Sequence, residues 1–233
     1  MRLQPNHRNG STPRAKLSLT VPDAPPSPMN WRPQSADDLI GQARDICTAQ
    51  VAKARRLRDG RKAACKLLLY GPPGVGKTTV AELIARELTG TPLGVESYNG
   101  KEVTVDAERD WMHILPYGSL FSNWSVKIIK ELDRCSKDAQ DILLSYLDRL
   151  PPGKALIGTS NLQLDLLTER FQTRFQSIKI ATPTTEELAA FLCAHWRVPR
   201  DVAARVAVGS GGCVRAALAD LETWLDVKGG GLL

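Results

Sequence analysis

The chain has 233 residues, of which 42% are hydrophobic and 24% charged, which suits one globular domain with room for a smaller second one and excludes a disordered or fibrous polypeptide. A net charge of +6 favours an anionic partner such as nucleotide or nucleic acid. Five widely spaced cysteines with no Cys-x-x-Cys pair argue against a zinc site or a disulfide framework, and no apolar run approaches the ~18 residues of a membrane span.

Residues 1–30 hold six of the fifteen prolines together with Arg2, Arg8, Arg14 and Lys16, so a flexible basic arm is expected there. From Ala36 the pattern turns helical, with Ser35 as N-cap and Leu39, Ile40, Ile46 and Val51 on one side. The apolar run Lys66–Tyr70 predicts a buried strand, residues 78–88 a helix, and residues 94–106 one or two short strands. Val126–Ile129 is a further strand. Ser136 caps a helix carrying Ala139, Ile142, Leu143, Tyr146 and Leu147, which Pro151-Pro152-Gly153 ends. Ala155–Gly158 and Ser177–Ile180 complete the strands, and residues 184–225 read as three helices broken near Pro199 and Gly209–Gly212. Strands alternating with helices predict a mostly parallel sheet covered on both faces.

Between the first strand and its helix stands Gly71-Pro72-Pro73-Gly74-Val75-Gly76-Lys77-Thr78, followed by Thr79, which fits G-x-x-x-x-G-K-[ST]. Glycines let the backbone curl so that successive N–H groups face a phosphate chain, and the helix N-terminus adds its positive dipole end. Lys77 is expected to reach the β- and γ-phosphates of ATP, and the Thr78 hydroxyl to ligate Mg2+.

The order of motifs over residues 30–225 resembles the AAA+ ATPases, and within them the clamp-loader group related to replication factor C. Trp31-Arg32-Pro33 and Asp37-Asp38-Leu39-Ile40-Gly41-Gln42 look like the segment that packs near the adenine. Ala155–Asn161 looks like a strand ending in the sensor-1 asparagine, here Asn161, which would orient the attacking water or touch the γ-phosphate. Glu169–Phe175 resembles the stretch carrying the arginine finger, with Arg174 the better match and Arg170 the second; in that family the finger acts on the neighbour's ATP. Gly211–Leu218 resembles the sensor-2 segment, in which Arg215 would contact the γ-phosphate from the same subunit. Asn99 stands where the family often has a polar residue restraining the catalytic glutamate.

The resemblance implies a P-loop α/β fold, a three-layer parallel sheet sandwich over residues 31–182, a helical lid over 183–228 and a flexible tail over 229–233. It also implies ATP and Mg2+ as cofactors, a homo- or hetero-oligomer with the finger in trans, and DNA together with a sliding clamp or other replication protein as partners. Arg134 and Lys137 are the nearest candidates for DNA contacts. No membrane is involved, and a cytoplasmic location is expected.

One position departs from the pattern. Four apolar residues followed by Asp-Glu should end the second motif strand, but Val126-Lys127-Ile128-Ile129 is followed by Lys130-Glu131-Leu132-Asp133. Glu131 falls where the water-activating base belongs, and Lys130 where the metal-associated aspartate belongs. Lysine has no acceptor and brings positive charge towards a cation, worth several kcal/mol at the short range of such a site. Three readings follow: slow hydrolysis, a regulatory subunit among active ones, or a normally active enzyme with an altered residue. The leading function is an ATP-driven oligomeric loader or remodeller acting on DNA. The alternatives are a nucleotide-regulated scaffold without turnover and a protein-directed remodeller.

Overall fold

The computed structural model describes residues 26–60, 63–117, 122–161 and 167–229. Its centre is a five-stranded sheet formed by β1 (Cys65–Tyr70), β2 (Val95–Asn99), β3 (Ser125–Lys130), β4 (Lys154–Ser160) and β5 (Gln176–Lys179). The strand order is β2-β3-β4-β1-β5 and every pairing is parallel. The helices are α1 (Gly41–Gly60), α2 (Lys77–Thr89), α3 (Val105–Ile114), α4 (Lys137–Asp148), α5 (Glu169–Gln172), α6 (Thr185–Trp196), α7 (Arg200–Gly209) and α8 (Val214–Gly229).

The uninterrupted apolar runs of the inner strands are explained by burial on both faces. Alternate side chains point to opposite faces, and β1 shows it: Leu67 and Leu69 enter a core shared with α1 and α2, while Leu68 enters a second core shared with α3 and α4. Ile128 and Ile157 join the first core; Ile129 and Leu156 join the second. The two helix layers and the sheet between them make the three-layer architecture.

A third apolar cluster gathers α6, α7 and α8 around Leu188, Leu192, Trp196, Ala203, Ala217 and Leu221, with Ile40 added from the chain before α1. Trp31 packs edge-on to Phe191, His195 and Trp196, with ring centroids 5.2–5.6 Å apart. Of the arm expected over 1–30, residues 1–25 lie outside the described residues, and residues 26–30 dock on these helices. Trp196 Nε1 donates to the Pro26 carbonyl at 2.8 Å, and Ser27 Oγ donates to the Glu222 carboxylate at 2.7 Å.

Several boundaries differ from expectation. Asp38 accepts from the amides of Gln34 and Ser35, both at 2.8 Å, and this closes a 3-10 turn over Ala36–Asp38. The first helix therefore begins at Gly41 and not at Ala36. Only residues 95–99 of the stretch 94–106 are strand; Thr104 then caps α3, its Oγ1 accepting from the Ala107 amide. Lys127, inside a central strand, is 4% exposed, and its amine lies over the rings of Tyr98 and Trp111 at 5.3 and 4.8 Å while pairing with Glu96. That is how a lysine enters an otherwise apolar strand. No described helix is long and apolar enough to cross a membrane.

Candidate active site

Parallel strands present their carboxyl ends along one edge of the sheet, where crevices form. β1 runs into the glycine-rich loop there and α2 leaves it. A cavity of about 470 Å3 opens at this edge, within the range of small-ligand sites. Its floor is the loop and the first turn of α2, from Pro73, Gly74, Val75 and Gly76 to Lys77, Thr78 and Thr79.

Gly76 caps α2 with φ +97°, and a Cβ placed on it meets nothing within 4 Å. The loop therefore presents bare backbone to open space, beside the first-turn amides of a helix, which have no intrahelical partner. Gly74, at φ +77°, has a different reason: a Cβ there would come within 2.2 Å of Cys213 Sγ. Glycine allows the segment before α8 to lie against the loop.

Lys77 is 8% exposed, and its Nζ donates to the carbonyls of Gly71 at 2.8 Å and Pro72 at 2.6 Å and to Asn161 Oδ1 at 3.3 Å. Burial lowers its pKa, Asp133 opposes that shift, and Arg215 adds to it. Asn161 stands at the end of β4, lines the cavity and donates its backbone N–H to Asp133 Oδ1 at 3.3 Å. Asp133 lies past the end of β3, yet it is only 8% exposed and bears electrostatically on the loop lysine.

Glu131 lines the cavity from the end of β3 with its backbone in the left-handed region at φ 53°. Its carboxylate is engaged by Arg134 at 2.6 Å. Asn99 Oδ1 accepts from the Lys101 amide at 3.2 Å and caps the turn after β2. Lys130 is ion-paired with Glu82 on α2 at 3.1 Å, and Glu82, which sequence reasoning passed over, lines the cavity. Its signal was available: it lies four residues after Thr78, hence on the same helix face.

Arg215 reaches the cavity from α8 close to the loop, its Cβ 3.5 Å from where a Cβ on Gly74 would stand, while Leu39, Ile40, Val214 and Leu218 give the cavity an apolar wall. A floor of backbone and one lysine beside an apolar wall makes a cavity with one polar and one apolar end. Gly71 and Pro72 hold Lys77 through their carbonyls and do not line the cavity; Gly41 also stands off it, facing the Glu187 carboxylate. Arg174 is outside the cavity too, bound to Asp148 through Nε at 3.0 Å and through the guanidinium to the second carboxylate oxygen at 3.4 Å. Arg170 spans no part of the cavity wall. Among the described residues no group of three or more His, Cys, Asp or Glu is placed to hold a metal. Magnesium suits such a place, because it takes one or two protein oxygens and completes its shell with phosphate and water.

The family profile described as "ATPase family associated with various cellular activities (AAA)" matches residues 67–182. The chain belongs to the AAA family. It is 31% identical over 127 residues to replication-associated recombination protein A of Bacillus subtilis, covering 53% of this AAA chain and 27% of that protein. It is 27% identical over 169 residues to replication factor C small subunit 2 of Pyrobaculum arsenaticum, covering 70% and 50%. Among solved structures, the Thermotoga maritima RuvB Holliday junction branch migration motor superposes with a TM-score of 0.63 at 25% identity, over 81% of this chain and 63% of that one. The AAA chain thus spans between about a quarter and two thirds of the length of these relatives. The family is one of ATPases, and relatives of this chain carry names from DNA replication and recombination.

Proposed function

We propose that this chain binds ATP with Mg2+ in the cavity above β1 and β4 and hydrolyses it as one subunit of an oligomeric loader or remodeller acting on DNA. The observation that carries the reading is convergence. The loop lysine Lys77, the strand-end Asn161 and Glu131, and Arg215 from the C-terminal helices all meet one cavity, though they come from four separate stretches of chain. In this reading the loop and Lys77 hold the phosphates and Thr78 supplies a hydroxyl to the metal. Asn161 and Glu131 orient and deprotonate the attacking water, and Arg215 ties the helical cluster to the γ-phosphate as a lid. When bound, the metal supplies charge neutralisation at the transferring phosphate. Arg174, outside its own cavity, acts on the ATP of an adjoining subunit.

The DNA-directed part rests on the names of the relatives and on the net charge of +6, with Arg134 and Lys137 as contacts. A sliding clamp or other replication protein is the partner implied by the clamp-loader resemblance. A second reading is favoured by a specific observation: Glu131 is ion-paired with Arg134 and a lysine stands at the metal-associated position. In it, nucleotide governs assembly without turnover. Steady-state ATP turnover by the assembled protein, with and without primed or branched DNA, separates the two. DNA-stimulated turnover supports the motor, and nucleotide-dependent assembly with no turnover on any DNA supports the scaffold.

A further inference from the structure

At the end of β3 the chain places an amine where this type of site takes a carboxylate, and the structure answers that amine with a carboxylate from another element. Lys130 Nζ lies 3.1 Å from Glu82 Oε1, and both side chains are roughly one third exposed, at 36% and 40%. Glu82 follows Thr78 by four residues on α2, so the two share a helix face, and helical side chains lean towards the N-terminus, here towards the loop. Glu82 lines the cavity together with Thr78, Glu131 and Asn161, whereas Lys130 does not. The charge therefore sits on the cavity side of the pair as a carboxylate.

We propose that Glu82 is the metal-associated carboxylate of this site, taking the place of the missing strand aspartate, and that Lys130 is a positioning residue that holds Glu82 in place. The acidic oxygen then arrives from α2 beside Thr78, and the lysine's charge stays on the strand outside the cavity lining. Carboxylate oxygen beside a hydroxyl is the donor chemistry magnesium takes when phosphate and water fill the remaining positions. An amine left unpaired there would repel the cation, and the 3.1 Å contact neutralises it. The assignment deepens the ATP-binding reading above and rests on it.

The test is metal-dependent nucleotide affinity, measured with a fluorescent ATP analogue in Mg2+ and again in EDTA. Manganese affinity of the nucleotide-bound protein, measured by electron paramagnetic resonance, serves as a second readout. Glu82→Gln lowers affinity at least about tenfold in Mg2+, the scale on which outer carboxylates act on metal affinity, and leaves affinity in EDTA unchanged. Adding Lys130→Asp to Glu82→Gln returns the carboxylate to the strand and restores the metal dependence. Equal affinities of Glu82→Gln and the unaltered chain in Mg2+, an equal loss with and without metal, or no rescue by the second substitution each overturn the assignment. If the unaltered chain binds no nucleotide in either condition, the ATP-binding reading falls and takes this one with it.

Discussion

The carboxylate of Glu131 is held by the guanidinium of Arg134, three residues along the chain and 2.6 Å away. Glu131 is also one of two non-glycine residues with positive φ among the described residues, at 53°. A carboxylate oxygen that already accepts from Arg134 is not free to accept the attacking water's proton. Both side chains are about half exposed, so the pair is worth no more than a surface ion pair, ~0.2–1 kcal/mol. Arg134→Ala should therefore raise turnover roughly two- to fivefold at saturating ATP, with nucleotide affinity unchanged. Turnover equal to or below that of the unaltered protein would show that the pair does not restrain the base.

Arg174 presents a different case, since its fork is occupied by Asp148 on α4 and does not face the cavity of its own chain. The Arg174 hydrogen bond holds the Asp148 carboxyl below its usual pKa. If Arg174 completes a neighbour's site, Arg174→Ala should bind nucleotide normally and lose turnover by about a thousandfold, the scale of a missing arginine finger. Lys77→Ala should lose nucleotide binding. Mixing the two inactive proteins should then recover part of the activity, because a mixed assembly contains junctions where an intact loop faces an intact arginine. A mixture as inactive as its components would count against action across subunits.

The strands and the phosphate loop were legible in the sequence for one reason: each is contiguous. Leu67, Leu68 and Leu69 are all buried, on two faces, and so write an unbroken apolar run. The loop's glycines, Lys77 and Thr78 are neighbours in the chain and act as neighbours in space. Helix α3 was hidden because Asp106, Glu108, Arg109 and Asp110 crowd its sequence, while its inward residues include Glu108 itself. The meeting of Lys77, Glu131, Asn161 and Arg215 was legible only through the family resemblance, and side-chain pairings were not legible at all. Lys130 with Glu82, Glu131 with Arg134 in preference to Asn99, and Ser27 with Glu222 across 195 residues depend on side-chain geometry that no local pattern encodes.

The thiol of Cys213 is the group of the segment before α8 that comes nearest to Gly74 of the loop. Gly74→Ala adds a methyl group that would stand 2.2 Å from Cys213 Sγ, on a backbone already at φ +77°. The strain of that conformation is on the order of 1–3 kcal/mol, and the collision adds to it. Nucleotide affinity should fall in Gly74→Ala. Adding Cys213→Ala should recover the collision's share and leave the strain, while Cys213→Ala alone changes affinity little. Titration of the three variants with a fluorescent nucleotide decides the matter. A double variant no better than Gly74→Ala would mean that the backbone conformation, and not the contact with the helical segment, sets the loss.

Glu108 gives a prediction about pH. It is fully buried on α3 and neither carboxylate oxygen has a hydrogen-bond partner, so burial pushes its carboxyl up from 4.5 to about 8. Between these two values the folded chain keeps a proton that the unfolded chain releases. Stability contributed by the protonated form is complete below the unfolded value, falls as pH rises towards 8, and is gone above it. The full effect is on the order of 5 kcal/mol, which for a chain of this size corresponds to roughly 10 °C or more in Tm. Glu108→Gln keeps the shape and cannot ionise, so it should lose markedly less Tm than the unaltered protein between pH 5.5 and pH 8.5. Thermal melts at those two pH values isolate the term, because every other titrating group is common to both proteins and cancels in the difference. Parallel losses in the two proteins would mean that Glu108 ionises in the folded state at its ordinary pKa, which its burial without a partner forbids unless α3 opens to water.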